Sequence, residues 1–327
     1  APQVWDNSDP AVLVEAGRVY LFGSTNNMRV PVRQITSFTG TLRTSQTDWY
    51  NPRSAMTVRP AWVDPGEDQV WAPSVRKLGT TFMMWFAARR AGAVDEANDQ
   101  CIGRAVSASP MGPYRPDPAP IYCGLTPERG SNRWGRGALD PEAFRSPSGS
   151  WYLLVALSRT QRNIGVVRLD GLGRVVGGVN ATPTILAGQA YEWHDGSADG
   201  RMTNEAFLEN PSMVYDTQTR TYLLFYSAGQ WYTDRYVTGF ARCSGPTGPC
   251  TLDSRGAFLR GGAGRSGTGG LTVFRDPAGP LRVAYASWTA GHEGQSGSVG
   301  EYSRQTSWSK LVLGPGTSAA AQTVRLG

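Results

Sequence analysis

One short pattern is written five times along these 327 residues. Each copy is an apolar strand, a polar turn and a second apolar strand. The copies read DPAVLVEAGRVYLFGST from Asp9, APSVRKLGTTFMMWFAA from Ala72, DPEAFRSPSGSWYLLVA from Asp140, NPSMVYDTQTRTYLLFYS from Asn210 and GLTVFRDPAGPLRVAYAS from Gly270. Starts at 9, 72, 140, 210 and 270 lie 63, 68, 70 and 60 residues apart. A β-rich unit at that spacing has room for about four strands, the content of a propeller blade. A lone blade leaves both faces bare, so it must stack on neighbours, and a closed ring removes most exposed edges. A large β-sandwich is the competing architecture, but its strands recur every ~8–12 residues without a longer period. The expected fold is therefore all-β, a five-bladed β-propeller, with residues 1–327 as a single domain.

Composition argues the same way where it bears on the fold. The 40 Gly and 22 Pro interrupt every stretch that could become a helix. No apolar run is long enough to span a membrane as a helix. The chain starts without a basic-plus-apolar leader, so the expectation is that any signal peptide was removed or was never part of this sequence, and that the protein is secreted. The four cysteines fall in two local pairs, Cys101 with Cys123 and Cys243 with Cys250. Either pair can close a hairpin-like loop, so two disulfides and an oxidising compartment are expected. A zinc site is the poorer reading, with no CxxC and only two His. The net charge is +6, but the arginines are scattered and no nucleic-acid-binding motif is present. The expectation is no nucleic-acid partner, no membrane span, and a monomer.

Each copy begins where an innermost strand would enter the ring, with its first residues facing the funnel at one end. Asp9 and Asp140 open two copies, and Glu209 directly precedes the Asn210-Pro211 opening of a third. An Asp-Pro pair on its own is an ordinary turn. Three acids brought to one pocket are what cleavage of a glycosidic bond needs: one carboxylate to activate water, one carboxylic acid to protonate the leaving oxygen, and a third charge to hold that acid's proton. Glu205 competes with Glu209 but lies inside a long loop, where its side chain is less well fixed. Pro211 is expected to hold Asn210 extended. The sugar platforms would come from Trp5, Trp71, Trp134, Trp193 and Trp231, with Trp71 and Trp134 preferred. Ser227 and His292 are further substrate-contact candidates, and His194 is a weaker one. Most of the 11 Trp must instead pack between blades.

SDPAV around Asp9, WAPSV at 71–75, ALDPEAF around Asp140 and LENPSMV around Glu209 resemble the blade starts of glycoside hydrolase family 43. CIGRAVSASPMGPY and YVTGFARCSGPTGPC resemble that family's disulfide-bearing strands. The resemblance spans nearly the whole chain. It implies a five-bladed propeller that hydrolyses arabinofuranosides or xylosides in polysaccharide or oligosaccharide, with inversion. It assigns Asp9 as general base, Asp140 as modulator of the acid's proton affinity and Glu209 as general acid. Many members carry a His in the blade-five loop, often beside an axial metal. Here that loop reads Ser266-Gly267-Thr268-Gly269-Gly270, Ser287 stands where a His-Ala-Trp run is common, and Ser74 replaces a frequent Asp. No cofactor is required on this reading, and an axial metal stays open. Two other readings also stay open: a carbohydrate-binding propeller without catalysis, and a retaining furanosidase.

Overall fold

The computed structural model describes residues 3–4, 7–24, 30–38, 54–66, 69–92, 100–124, 137–157, 163–195, 208–295, 302–314 and 323–327. They form five antiparallel sheets, the blades of a β-propeller. Blade one holds β2 (Ser8–Glu15), β3 (Arg18–Ser24) and β4 (Val32–Ile35); β1 is the short strand Gln3–Val4. Blade two holds β5 (Trp71–Leu78), β6 (Thr81–Arg89), β7 (Gln100–Ser107) and β8 (Arg115–Pro116). Blade three holds β9 (Ala138–Arg145), β10 (Trp151–Leu157), β11 (Asn163–Leu169) and β12 (Thr184–Ala187). Blade four holds β13 (Leu208–Asp216), β14 (Thr221–Ala228), β15 (Val237–Cys243) and β16 (Cys250–Leu252). Blade five holds β17 (Arg265–Arg275), β18 (Leu281–Thr289) and β19 (Gln305–Leu313), with β1 and β20 (Val324–Leu326) both pairing β19. The run from residue 260 to 269 reads as loop by its glycines, yet β17 already begins at Arg265. Pairing with the neighbouring strand β18 overrides the weak strand preference of glycine.

The period of two along each strand decides how the blades stack. On β14, Leu223 and Phe225 face blade five, where they pack with Leu271, Val273 and Val283. The intervening Tyr222, Leu224 and Tyr226 face blade three, packing with Phe144, Leu154 and Ile164. Corresponding apolar cores lie between blades one and two, two and three, and five and one. Each fully buried side chain of this size contributes about 1.5–3 kcal/mol of apolar burial, and no blade can supply both halves of a core. Asn7 ties the ends together: its N–H donates to Arg304 O at 3.2 Å, and its side-chain amide donates to Thr306 Oγ1 at 3.0 Å.

The disulfides join Cys101 to Cys123 and Cys243 to Cys250, across 22 and 7 residues of sequence. The first anchors the Tyr122 segment beside β7, and the second crosses the β15–β16 pair. Loop closure alone assigns about 3 kcal/mol to the longer bridge and somewhat less to the shorter one.

All five inner strands share one irregularity. Pairing with the second strand skips from Ser8 to Ala11, Trp71 to Ser74, Leu139 to Glu142, Glu209 to Ser212 and Gly269 to Thr272. Each skip inserts one extra residue, a β-bulge that re-aims the strand entry. The residue inside each bulge is left-handed: Asp9 (φ 45°), Ala72 (44°), Asp140 (51°), Asn210 (48°) and Gly270 (61°). Asn210 is therefore not extended as the following proline suggests. The bulge demands a positive φ, which Asn, Asp and Gly accept readily. Ala72 has no such tolerance, and strain of this kind costs on the order of 1–3 kcal/mol.

Candidate active site

The five bulges surround a small cavity on the axis, lined by residues 9–10, 72–73, 140–142, 210–211 and 270–272. Asp9 and Asp140 occupy the same place in their blades, inside the bulge. Glu209 does not share it: it stands one residue earlier, where blade two has Trp71. Two acids are thus equivalent by repeat and the third is offset by one. Glu209 does not line that cavity, but it and Asp9 are both within electrostatic reach of Asp140. Burial raises the proton affinity of Asp140 well above the usual carboxylate range, and the nearby charges of Glu209 and then Asp9 raise it further. The Asn210 N–H, which donates to Asp140 Oδ2 at 3.0 Å, and the Arg304 cation oppose the rise. The net result is that Asp140 holds its proton more tightly than a free carboxyl does.

Each acid is held by specific partners. Asp9 Oδ2 accepts from the Ser24 hydroxyl at 2.6 Å, and Asp9 Oδ1 accepts from Arg304 Nη1 at 3.3 Å. The Tyr236 hydroxyl donates to Glu209 Oε1 at 2.6 Å. Asn210 Nδ2 donates to the same phenol oxygen at 3.1 Å. The Arg304 guanidinium lies 5.2 Å from the Tyr236 ring centre and 5.9 Å from that of Trp231. Burial pushes the Tyr236 phenol far above its ordinary range, so it remains a donor. Arg304 stays charged because Asp9, Tyr236 and Glu209 offset its burial. Neither Tyr236 nor Arg304 stands out in the sequence. Their shared signal is place: each directly precedes the third strand of its blade, β15 or β19.

The remaining candidates divide. Ser227 is fully buried, and its Oγ accepts the Gly270 N–H at 2.8 Å, so it fastens blade four to blade five instead of facing substrate. Ser24 does the same for the Ala72 N–H at 2.7 Å. Trp71 is half-buried at the mouth of blade two, against the core shared with blade three. His292 lies on the rim of blade five with its ring stacked on Tyr302 at 4.0 Å. Trp231 is 40% exposed and stacks on Trp288, whereas Trp193 is wedged against Tyr226 and Tyr191. Trp5, Trp134 and Glu205 lie outside the described residues.

His194 is structural. It is fully buried, Nδ1 accepts from Ala190 N at 3.1 Å, and Nε2 faces the Tyr226 hydroxyl at 3.1 Å. Burial lowers its pKa from 6.5 to about 4. The unfolded chain therefore takes up this proton below about pH 6.5 while the folded one refuses it until about pH 4. Stability from this group is whole above pH 6.5 and drains as pH falls, by up to ~3 kcal/mol. Urea unfolding at pH 7 and pH 4.5 should show a smaller acid loss for His194→Gln than for the parent. Identical losses would contradict the burial argument.

Among the described residues, side chains near the axis that could turn to a metal ion are engaged elsewhere. Thr268 Oγ1 is turned into the blade, donating to Leu259 O at 3.2 Å. Glu142, the further carboxylate lining the cavity, is neutralised by Arg76 and accepts from Ser74 Oγ at 2.9 Å. Among the described residues no group of three or more His, Cys, Asp or Glu could hold a metal ion. No chemical step is routed through one.

Residues 4–311 match the family model for glycosyl hydrolases family 43. No curated protein matches the sequence. Among solved structures, the chain is similar to a thermostable family-43 glycoside hydrolase, with TM-score 0.75 and 20% identity over 99% of this chain and 93% of that one. It is also similar to an alpha-L-arabinofuranosidase from Lactobacillus brevis, with TM-score 0.70 and 15% identity over 94% and 91%. A third is the Cellvibrio cellulosa alpha-L-arabinanase complexed with arabinohexaose, with TM-score 0.68 and 17% identity over 99% and 96%. At these identities the likeness is one of fold.

Proposed function

The chain belongs to glycosyl hydrolases family 43, and from that premise we propose that it hydrolyses arabinofuranose-containing polysaccharide or oligosaccharide with inversion. Asp9 is the general base, Glu209 the general acid and Asp140 the group that tunes the acid. The observation that supports this reading is that Asp140 lies within electrostatic reach of both Glu209 and Asp9, which are held by the neighbouring pair Tyr236 and Arg304. A sheet that merely binds sugar has no use for acids so costly to bury together.

In the reaction, water attacks the anomeric carbon and gives its proton to Asp9. Glu209 gives its proton to the glycosidic oxygen as the carbon–oxygen bond breaks. Asp9 ends protonated and Glu209 ionised, and solvent returns the proton between them. Arg304 supplies the counter-charge that lets Asp9 act in a part-buried place. Trp71 at the mouth of blade two and His292 on the rim of blade five are proposed to contact the sugar, as is Trp134. Structures that share the fold include an arabinofuranosidase and two arabinanases but also an endo-1,4-beta-xylanase, so arabinose is the first substrate proposed and xylose the alternative. The two disulfides support an extracellular setting.

A panel of arabinan, arabinoxylan and nitrophenyl pentosides tests the reading. Turnover of arabinofuranosyl bonds above all others is expected. Sugar binding with no turnover on any member would point to a carbohydrate-binding propeller, and preferred cleavage of xylosides would move the substrate.

A further inference from the structure

We propose that Tyr236 is a positioning residue of this site, whose hydroxyl fixes the Glu209 carboxyl so that its acidic proton is carried on Oε2. The proposal rests on Glu209 being the general acid. Tyr236 is fully buried, and its hydroxyl lies 2.6 Å from Glu209 Oε1. A phenol oxygen has one proton to give. Asn210 Nδ2 donates to that oxygen at 3.1 Å, so the phenol's own proton is directed at the glutamate. Oε1 then acts as the acceptor in both charge states, and a proton on the carboxyl must sit on the other oxygen. Without this donor Oε1 loses the contact that reserves it as an acceptor.

The surroundings keep the phenol still. Its ring crosses the backbone of blade five at Gly269, where a Cβ would stand 2.0 Å from ring atom Cε1. Only glycine admits the ring at that crossing. The Arg304 guanidinium lies near the same ring and bonds Asp9. One buried pair, Tyr236 and Arg304, thus reaches both the base and the acid. Preorganisation of this sort is what a proton donor needs to meet the leaving oxygen in one geometry. The bland reading is a buried phenol that has found an acceptor. It predicts no link to leaving-group chemistry.

Tyr236→Phe keeps the ring and its packing and removes only the donor. On unactivated pentosides kcat should fall by roughly ten- to a hundredfold, a part of what the whole acid contributes, with KM little changed. On nitrophenyl pentosides, which leave without a proton, the fall should be much smaller. The limb of the pH–rate profile set by the acid should move upward, because a hydrogen bond that favours the ionised carboxyl is gone. Asn210→Gly, which keeps a residue suited to the left-handed bulge, should give a weaker loss with the same split between substrates. It carries the test if Tyr236→Phe proves unstable. Equal losses on both substrate types, or an unmoved limb, would overturn the proposal. Glu209→Gln run alongside separates the two ideas. If it shows no split, the acid assignment fails and this proposal with it. A split there but none in Tyr236→Phe removes this proposal alone.

Discussion

Glu209→Gln should cut hydrolysis of natural arabinofuranosides by on the order of a hundred- to ten-thousandfold, the usual contribution of a general acid. It should leave nitrophenyl pentosides far less affected. Glutamine keeps the shape of glutamate and can still accept from the Tyr236 hydroxyl through its amide oxygen, so the site around it is retained. What it lacks is a proton to give. An alkoxide of a sugar is a poor leaving group and needs that proton, whereas a nitrophenolate leaves unaided. The proton must be on the carboxyl at working pH, above the ordinary glutamate range near 4.3. Asp140 is the neighbour proposed to hold it there: burial and the charge of Glu209 both raise the proton affinity of Asp140, and a repulsion between two carboxylates acts on both of them. Equal loss on both substrates, measured as kcat/KM, would remove Glu209 from the acid role. Full activity would turn attention to Glu205.

Asp9→Asn should lose about a hundredfold or more in kcat, and should lose it equally on natural and nitrophenyl substrates. Both need an activated water, whatever the leaving group. The substitution is a clean one here. Asp9 sits in a left-handed bulge at φ 45°, a conformation Asn tolerates as well as Asp. The side-chain oxygen of Asn can still accept from Ser24 Oγ or from Arg304. Circular dichroism should therefore change little while turnover collapses, and the melting temperature should fall because buried Arg304 loses its main counter-charge. Near-normal turnover would place the base on another residue and reduce Asp9 to a partner of Arg304.

Much of the fold was legible because it is periodic. Five copies spaced 60–70 residues apart, each with the period-two pattern of a strand pair, leave few architectures that bury every apolar face. The alternation of Tyr222, Leu223, Leu224, Phe225 and Tyr226 between two inter-blade cores is visible in the letters once a ring is assumed. The bulge was not visible. A residue before proline reads as extended, and only pairing with the second strand shows that Asn210 and its four counterparts are left-handed. The one-residue offset of Glu209 from Asp9 and Asp140 stands in the letters, but that it places Glu209 outside the bulge does not. Asp9 and Asp140 could be singled out because they repeat. Arg304 could not, since its contact with Asp9 spans 295 residues of sequence and exists only once the ring has closed. Tyr236 escaped for a related reason: its partner Glu209 is 27 residues away, on another strand of the same blade. Ser227 was misplaced because a hydroxyl near a strand end reads alike whether it faces a sugar or a neighbouring blade's N–H.

The stereochemistry of the product tests the central claim most directly. Proton NMR of the unmodified protein acting on an arabino-oligosaccharide reads the anomeric configuration of the first sugar released, before mutarotation. Asp9 acting on water opposite a protonating Glu209 predicts that this sugar appears with its anomeric configuration inverted. Release with the configuration retained would contradict that pairing, because it requires one of the carboxylates to have bonded to the sugar itself.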